Sequence, residues 1–285
     1  MAAVLFAGIF HAERGYAQDQ QQEEVVIAQQ LVAHTKTGSK TAERPAKKDD
    51  PYKEKTFTLD GPGVIKIYTE SGNIDVDANN SGDEVTIELF VDRGYALWSS
   101  SKNLDNYSFT MLQRGNEIIA TVERKDKRSG KWGDSEVSFN YVIHAPRELS
   151  TQLKTSGGHI TLSGAEGSHK VKSSGGNLTL DDLEGKIEAY TSGGHIEIDD
   201  SEGEIYAYTN GGHITMDDSE GESRLKTNAG NIVVDDYSGS LIAETKAGSI
   251  DVTLSELSNG LSLESKVGTI FAEIPDNEGY NLYIN

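Results

Sequence analysis

Apolar and polar residues alternate along the second half of the chain, in short runs that return at a fixed interval. In residues 185–202, positions 187, 189 and 191 are Ile, Ala and Thr, and after two glycines Ile196 and Ile198 lie on either side of Glu197. Alternation with a period of two indicates a β-strand with one buried face. Each copy of the pattern therefore predicts two short strands whose apolar faces turn toward a core.

The turns between these strands carry two kinds of residue. Gly193 and Gly194 form the first corner, where we expect positive φ angles because only glycine adopts them without steric cost. Residues 199–203, with the sequence DDSEG, form the second turn, which has suitable Asx and glycine chemistry. Strand, glycine corner, strand and acidic turn together make one unit.

The unit repeats with a fixed period. The aliphatic residue after the glycine corner recurs at steps of 18 residues, with a last step of 20: Ile160, Leu178, Ile196, Ile214, Ile232, Ile250 and Ile270. A second aliphatic column repeats with the same period: Leu162, Leu180, Ile198, Met216, Val234 and Val252. A third column, of Thr or Ser, does so as well: Thr155, Ser173, Thr191, Thr209, Thr227, Thr245 and Ser265. One rung alone has no second layer to bury these side chains, and stacking supplies it. A period of this size predicts a solenoid.

We therefore predict an all-β fold, a parallel β-solenoid with 18-residue rungs. Successive rungs should pair in register roughly 4.8 Å apart, and the bias of parallel crossovers favours a right-handed coil. Residues 63–76 match the offsets of the unit and predict a separate first rung. The strand-like runs between this rung and the repeat predict an antiparallel β insertion that caps the N-terminal end and protects its edge.

The chain divides into five parts on this interpretation. They are a signal peptide (1–17), a polar and largely disordered linker (18–55), the first strand and first rung (56–82), the antiparallel insertion or cap (83–147) and the repeat solenoid with a C-terminal cap (148–285). The signal peptide is inferred from the apolar run 2–10 and from the small residue Ala17 before a polar stretch, although no basic residue precedes the run. The C-terminal cap is expected from residue 274, because Pro275 breaks the period.

Charge and cysteine content exclude several classes of protein. The formal net charge is −20 at pH 7, and a field of this sign repels nucleic acid, so we expect no nucleic-acid partner. The absence of cysteine excludes disulfides, thiolate metal sites and a lipid-anchoring cysteine. No stretch approaches the ~20 apolar residues of a membrane span. With the signal peptide, this predicts an exported protein that is periplasmic, at the cell surface or extracellular, with its oligomeric state left open.

The repeat phrases also carry a family resemblance. Residues 137–167, VSFNYVIHAPRELSTQLKTSGGHITLSGAEG, and copies such as KIEAYTSGGHIEIDDSEG resemble the bacterial putative-adhesin family of Gly-rich β-strand repeats, a domain of unknown function. The resemblance covers residues 57–272, and its most specific parts are the strand that ends at Pro146 and the repeated Ser/Thr-x-Gly-x-Ile/Leu phrase. It implies a β-solenoid in the cell envelope or outside it, and it implies no activity, cofactor or catalytic residue.

Pairs of adjacent aspartates stack at one corner of the predicted solenoid. They are Asp181 and Asp182, Asp199 and Asp200, Asp217 and Asp218, and Asp235 and Asp236. Unit charges at the spacing of adjacent rungs repel by roughly 1 kcal/mol in water, so the column favours a counterion. One interpretation is Ca²⁺ held between rungs by these oxygen ligands. The other is that one Asp of each pair accepts backbone N–H bonds while its neighbour faces water. No other cofactor is expected.

His159, His195 and His213 form an outward column on the second strands. Because Glu197 lies on the same face, a surface Zn²⁺ site is geometrically conceivable. Other rungs place Asn in this column, however, and both Asn and His tolerate an unusual backbone beside a glycine corner. The interchange favours a backbone role over a metal site.

Three tyrosines are expected to point outward from the first strands, close to basic side chains. They are Tyr190, Tyr206 and Tyr208, near Lys154, Lys170, Lys172, Arg224 and Lys226. Such a ladder can stack sugar rings or hold an anionic glycan, whereas tyrosines also stabilise a sheet through cross-strand contacts. An exposed aromatic patch indicates binding only where it is contiguous.

A protein without enzymatic activity is our leading prediction: an exported adhesin or envelope-binding module whose flat faces bind a glycan, a polymer or a protein. Acidic residues recur in every rung, as structural positions do, whereas a polysaccharide lyase or hydrolase needs a carboxylate pair at one set distance. Two alternatives stay open. One is a carbohydrate-active enzyme with its site in the insertion, which carries Trp98, Trp132 and the basic run 125–128. The other is a scaffold of envelope stress signalling.

Overall fold

The computed structural model describes residues 50–92, 104–125 and 137–276. The described residues belong to one compact unit. The predicted signal peptide, most of the predicted linker, Trp98, Trp132 and residues 277–285 of the predicted C-terminal cap lie outside the described residues.

Strands account for almost all regular structure in the described ranges. They are β1 (Lys53–Thr58), β2 (Gly63–Thr69), β3 (Ile74–Asn80), β4 (Glu84–Asp92), β5 (Tyr107–Arg114), β6 (Glu117–Arg124), β7 (Ser138–Pro146), β8 (Leu149–Thr155), β9 (Ile160–Ser163), β10 (Glu166–Ser173), β11 (Leu178–Asp181), β12 (Glu184–Thr191), β13 (Ile196–Asp199), β14 (Glu202–Thr209), β15 (Ile214–Asp217), β16 (Glu220–Ala229), β17 (Ile232–Ala247), β18 (Ile250–Ser265) and β19 (Ile270–Glu273). A single 3₁₀ turn, Leu104–Asn106, precedes β5. Within these ranges no helix has the length and apolar character that crossing a membrane requires. The predicted all-β fold is confirmed.

The strands of the repeat stack in parallel and in register. β12 lies between β10 and β14, so Thr191 faces Ser173 on one side and Thr209 on the other. β13 lies between β11 and β15, where Ile196 faces Leu178 and Ile214. Register partners are 18 residues apart, which confirms the predicted period and the solenoid. The right-handed sense of the coil stays a prediction.

The predicted inward columns form the core. In the first aliphatic column, these side chains are at most 1% exposed: Ile160, Leu178, Ile196, Ile214, Ile232 and Ile250. Full burial of such a side chain is worth roughly 1.5–3 kcal/mol, and it requires a neighbouring rung on each side. Ile270 continues the column in register opposite Ile250 but is 42% exposed, because β19 pairs with β18 and with no other described strand. The prediction that Ile270 is buried is therefore wrong.

The N-terminal end is closed by strands that are not consecutive in the sequence. β2 and β3 form the predicted first rung and stack in parallel on β8 and β9, with Ile65 opposite Thr151 and Ile74 opposite Ile160. On their other side, β6 and β7 stack in parallel on β2 and β3. β5 then pairs with β6, β4 with β7, and β1 with β4, all antiparallel.

The cap is thus antiparallel within itself, as predicted, but parallel where it meets the first rung. No periodicity marks β6 and β7 as a rung, because a long segment joins them in place of the repeating unit. β1 also begins at Lys53, before the expected end of the linker at residue 55. Its Phe57 pairs with Val85 and is 6% exposed, so this strand belongs to the core.

The glycines that follow the first strand of each rung allow close packing, and the positive φ angles predicted at Gly193 and Gly194 are wrong. Neither Gly193 nor Gly194 has a positive φ. A Cβ atom at Gly194 would collide with the carbonyl oxygen of Gly176 in the preceding rung. Positive φ occurs at the equivalent glycine of other rungs, with 118° at Gly72, 155° at Gly248 and 152° at Gly268, and near the start of the first strand, with 130° at Gly203. The corner requires glycine because successive rungs approach too closely there for a side chain.

The threonine column satisfies the backbone at this corner. The hydroxyl of Thr191 donates to the carbonyl oxygen of Gly176 in the preceding rung (2.9 Å) and accepts from the N–H of Gly194 in its own rung (3.3 Å). Donation to a glycine carbonyl recurs at Thr155, Ser173, Thr209, Thr227, Thr245 and Ser265. The core therefore contains a polar column whose hydrogen bonds are made.

Candidate functional site

The predicted Asp pairs lie together at the corner after the second strand. Asp199 faces Asp181 in one neighbouring rung and Asp217 in the other. The second Asp of every pair has a positive φ: 49° at Asp182, 47° at Asp200, 43° at Asp218 and 45° at Asp236. Aspartate is one of the few residues besides glycine that adopt this conformation, and Gly164 occupies the equivalent position in the first copy, with a φ of 73°. The backbone therefore explains the second Asp of each pair.

Stacked carboxylates repel one another along this corner. The charge of Asp217, followed by partial desolvation, raises the pKa of Asp218 above the usual value for Asp. Burial raises the pKa of Asp199, and the charge of Glu197 adds to the effect. A carboxyl group with a raised pKa in the folded state destabilises the fold once it is ionised. The corner therefore opposes folding at neutral pH.

Arg147 neutralises one end of the Asp corner. Its Nη1 and Nη2 atoms donate to Oδ2 and Oδ1 of Asp182 at 2.8 and 3.1 Å. These hydrogen bonds raise the pKa of Arg147 above the usual value for Arg. A bidentate pair of this kind fixes direction as well as charge. Because Arg147 directly follows β7, the pair joins the cap to the repeat.

One group of carboxylates meets the geometric requirement for a metal site within the described ranges. The ligand atoms of Asp217, Asp218 and Asp236 lie within 4.8 Å of one another, and the other predicted aspartates join no such group. Oδ1 of Asp217 accepts from the N–H of Asp218 (3.1 Å), and Oδ1 of Asp235 accepts from the N–H of Asp236 (3.2 Å). Ca²⁺ takes six to eight oxygen ligands, so the calcium site stays a prediction.

The outward His column forms a ladder of hydrogen bonds to the backbone. Nδ1 of His195 accepts from the N–H of His213 in the next rung (2.9 Å), and Nδ1 of His213 accepts from the N–H of Asn231 (2.8 Å). The rings of His195 and His213 stack with their centroids 5.0 Å apart and 4° between their planes. The backbone N–H of the next rung requires only a side-chain acceptor within hydrogen-bond distance. Both His and Asn supply one, which explains why they interchange.

The ladder continues through most of the solenoid. Side chains of Asn73, His159, Asn177, Asn231 and Ser249 each accept from the backbone N–H of the following rung. The interpretation that His and Asn tolerate an unusual backbone here is wrong, because none of them has a positive φ. Within the described ranges, His195, His213 and Glu197 also form no group of three close metal ligands.

The three predicted tyrosines share one outward face. Tyr190 on β12 lies opposite Tyr208 on β14, and the rings of Tyr190 and Tyr206 are in contact, with centroids 5.4 Å apart and tilted by 40°. The hydroxyl of Tyr208 donates to Oδ1 of Asn210 (2.6 Å) and accepts from Nδ2 of Asn228 (2.9 Å). All three rings are partly buried against the sheet, so they form a contiguous aromatic patch.

Basic residues extend this patch along the sheet. Two outward positions on each of the adjacent strands β2, β8, β10, β12, β14 and β16 form a surface that we name the cationic strip: Lys66, Tyr68, Gln152, Lys154, Lys170, Lys172, Glu188, Tyr190, Tyr206, Tyr208, Arg224 and Lys226. The strip contains six Lys or Arg and one Glu, whereas the whole chain has 26 Lys and Arg against 46 Asp and Glu. Sequence reasoning missed Lys66 and Tyr68, although the alignment of the first rung with the repeat indicates their place.

Acidic neighbours compensate only part of this charge. Glu188 approaches Lys170 at 3.8 Å, and two acids outside the strip pair with it, Glu117 with Lys66 at 3.3 Å and Glu244 with Lys226 at 3.2 Å. Across the described ranges, no ion pair forms at Lys172. Ion pairs of this exposure are worth little, about 0–1 kcal/mol. The strip therefore presents positive charge to solvent.

A cavity of about 360 Å³ lies between the cap and the first rungs. Its lining is Glu70, Ser71, Tyr107, Val122, Arg124, Val137, Phe139, Ser156 and Gly157. Tyr107 and Phe109 pack edge-on against Phe139, which gives the cavity an aromatic wall. Of the predicted basic run 125–128, only Lys125 is described, and its Nζ donates to the carbonyl oxygen of Asp105 (2.8 Å). Glu70 is the one acid among the described lining residues.

Comparisons with known proteins give similar solved structures and no sequence match. No protein-family model and no curated protein matches the chain. Similar solved structures include a putative adhesin from Bacteroides fragilis NCTC 9343, with 14% identity, a TM-score of 0.43, and coverage of 78% of this chain and 96% of that chain. A putative lipid binding protein from Parabacteroides distasonis ATCC 8503 has 11% identity, a TM-score of 0.44, and coverage of 78% and 97%. A putative adhesin from Parabacteroides merdae ATCC 43184 has 15% identity, a TM-score of 0.36, and coverage of 78% and 96%.

Proposed function

We propose that this protein is a non-enzymatic, exported β-solenoid that binds an extended partner in the cell envelope or outside the cell. The partner is a glycan, another polymer or a protein, and it lies on the outward face of the first strands. The observation that carries the proposal is the contiguous patch of Tyr190, Tyr206 and Tyr208 within a cationic strip on an otherwise acidic protein.

The geometry of the patch suits an extended partner. A tyrosine ring offers an apolar face for stacking and a hydroxyl for hydrogen bonding. Tyr208 is held by Asn210 and Asn228 before any partner arrives, so little side-chain freedom is lost on binding. Because β12 and β14 are paired on both sides, the platform beneath the rings is rigid.

Sheet stabilisation is the competing explanation for these tyrosines, because aromatic cross-strand pairs contribute roughly 0.2–1 kcal/mol each. The two explanations differ in what the side chains are needed for. If the tyrosines serve only the sheet, their removal lowers stability and leaves binding intact. If they form a binding surface, binding is lost while the fold remains.

The test is retention of the full chain by cell-wall and envelope fractions and on a glycan array. A variant with Tyr190, Tyr206 and Tyr208 changed to Ser should be folded by circular dichroism and should lose retention. The matched control changes three outward residues of the second strands, Thr179, Glu197 and Thr215, to Ser, and it should bind like the original. Absence of binding by the unchanged protein to every fraction would contradict the proposal.

The cavity under the cap favours one second candidate, a carbohydrate-active enzyme with its site near the insertion. A glycoside hydrolase requires two carboxyl groups roughly 5–9.5 Å apart, and Glu70 is the single acid in the described lining. Turnover of a polyuronate that disappears in Glu70→Gln would support this candidate. Binding of the polymer without any turnover supports the non-enzymatic function.

A further inference from the structure

We infer that the cationic strip binds an acidic polysaccharide, a single glycan chain with carboxylates on its successive sugar units. This inference rests on the proposed function and names the partner class of the same surface. It adds a charge requirement to the ring stacking that the tyrosines provide.

The order of residues along the strip matches a polymer that carries both rings and charge. Cations lie on β2, β8, β10 and β16, and tyrosines lie on β2, β12 and β14, with Glu188 beside Tyr190 on β12. Six adjacent strands at 4.7–4.9 Å spacing make a track roughly 24 Å long. Several consecutive sugar units fit on such a track, where the cations can pair with their carboxylates and the tyrosines can stack on their rings.

Two cations of the strip face each other across neighbouring rungs. Lys154 and Lys172 lie directly opposite each other on paired strands, an arrangement of like charges that destabilises a sheet. Burial, followed by the charge of Lys172, lowers the pKa of Lys154. Other rungs place Tyr190 or Glu244 in the same column, so the backbone makes no demand there. A carboxylate bound between the two lysines would relieve their repulsion.

The width of the strip favours one polysaccharide chain over a broader polyanion. Its two columns lie two residues apart, about 7 Å at the rise of a β-strand. Four residues before its first column on each strand, an exposed column of acids runs in register: Glu148, Glu166, Glu184, Glu202 and Glu220. A membrane surface or a nucleic-acid duplex would also cover these acids, whereas a single glycan chain would not.

The net charge of −20 does not prevent this binding. At physiological ionic strength, the Debye length is about 8 Å, so a carboxylate on the strip interacts mainly with the nearest side chains. Those side chains are Lys154, Lys170 and Lys172, which occupy two adjacent strands. Attraction is therefore local, and it should weaken as salt is added.

The experiment compares polygalacturonate with its methyl-esterified form, which keeps the same rings and caps the carboxylates. Affinities of the full chain for both polymers are measured by calorimetry at low and high salt. We expect polygalacturonate to bind at least about tenfold more tightly at low salt, and we expect added salt to reduce this preference.

Charge reversal locates the site. Lys154→Glu combined with Lys172→Glu should weaken binding of polygalacturonate by about tenfold or more. The control, Lys246→Glu combined with Lys266→Glu, makes the same change in net charge at exposed lysines outside the strip and should leave the affinity within about twofold. Thermal unfolding checks that both proteins fold, and the exposed Lys172→Glu alone replaces the double variant if that variant does not.

Equal affinity for the two polymers, or an effect of charge reversal no larger than that of the control, overturns the inference and leaves the tyrosine-based function standing. Binding to anionic lipid vesicles or to single-stranded DNA in preference to polygalacturonate overturns it as well, because the partner is then of another class. Retention by envelope fractions without any affinity for polygalacturonate defeats this inference alone, and loss of both defeats the proposed function too.

Discussion

The cationic strip and the Asp corner are products of the same repeat, but the backbone constrains them differently. At the corner, the second residue of each Asp pair has a positive φ, and Asp or Gly occupies this position in five consecutive rungs: Gly164, Asp182, Asp200, Asp218 and Asp236. On the strip the backbone is extended, and one column changes identity from rung to rung: Tyr68, Lys154, Lys172, Tyr190, Tyr208 and Lys226. Regular repetition at the corner is explained by local conformation. The side chains of the strip have no such explanation, which is why the strip is the better candidate for binding.

Both regions depend on the register between rungs, and a deletion shorter than one whole unit should break it. Of the changes considered, this one should reduce stability most. Removal of residues 185–202 joins Glu184 to Gly203 and preserves every column, so we expect a folded protein with a shorter strip. Removal of residues 185–193 shifts the chain by an odd number of positions, which turns inward side chains outward. We expect this variant to lose cooperative unfolding in urea, followed by circular dichroism. Identical behaviour of the two deletions would mean that the rung boundaries are mistaken.

Acid should change the free energy of unfolding in opposite directions through the two regions. The effect of a buried histidine beneath the strip should be larger than that of the Asp corner. Beneath the strip, His169 is buried between Thr151 and Ile187, and burial lowers its pKa from 6.5 to about 4. Between these pH values the unfolded chain binds the proton and the folded chain does not, so stability falls as the pH drops from about 6.5 to 4, by up to about 3 kcal/mol. His169→Ile, which copies the next rung, should remove this dependence.

The measurement is the free energy of unfolding in urea at several pH values between 4 and 7. The unchanged protein should lose stability steadily below pH 6.5, and the difference between it and His169→Ile should grow over the same interval. If the two proteins keep a constant difference across the interval, protonation of His169 has no part in the acid response.

Substitutions can compare how strongly the backbone conformation restricts the residue type at the Asp corner and on the strip. Asp200→Ala places an ordinary residue at a φ of 47° and should lower the free energy of unfolding by about 1–2 kcal/mol. Asp200→Gly should be tolerated because glycine adopts this conformation without strain. Lys172→Ala, on extended backbone, should change stability by no more than about 0.5 kcal/mol. Equal losses in Asp200→Ala and Asp200→Gly would show that the carboxylate, and not the backbone, matters at this position.

The smallest expected effect concerns charge alone. Asp218→Asn keeps a side chain that tolerates positive φ and removes the carboxylate whose pKa the charge of Asp217 raises. Because that raised pKa means the ionised group opposes folding, the variant should melt at a slightly higher temperature at neutral pH. The gain should shrink with added salt and disappear in acid, where the carboxyl group of the original protein is already protonated. A lower melting temperature at low salt would be evidence that the charge is needed, as it would be for a bound cation.

Sequence alone predicted the repeat because the assignment of one residue to the core also assigns every residue at the same position in the other rungs. Once Ile196 is assigned to the core, the 18-residue period assigns every equivalent position, and parallel pairing in register follows. The same reasoning failed at β19, where Ile270 keeps its register without a described rung to cover it. A periodic pattern shows which face of a strand is apolar. Whether that face is buried depends also on whether a further rung covers it.

The features that were missed depend on contacts between rungs. The collision that excludes a Cβ at Gly194 comes from Gly176 in the preceding rung, and the bond that selects His195 comes from the backbone of His213 in the next. β6 and β7 reach the first rung from a distant part of the chain and carry no repeat phrase. Local patterns contain none of this information, so the reasons why these glycines and histidines recur became visible only in three dimensions.

The ladder of corner side chains has a consequence for how such a protein can change over generations. Between Asn73 and Thr269, each described rung offers a side-chain acceptor to the backbone N–H of the next one, and Asn177 and His195 each both accept and donate in this way. An in-frame duplication of one unit therefore inserts a piece whose two faces already match their new neighbours. Duplication or deletion of whole units can therefore lengthen or shorten the solenoid. The length of its binding surface would change with it, and no new side-chain contacts would have to evolve.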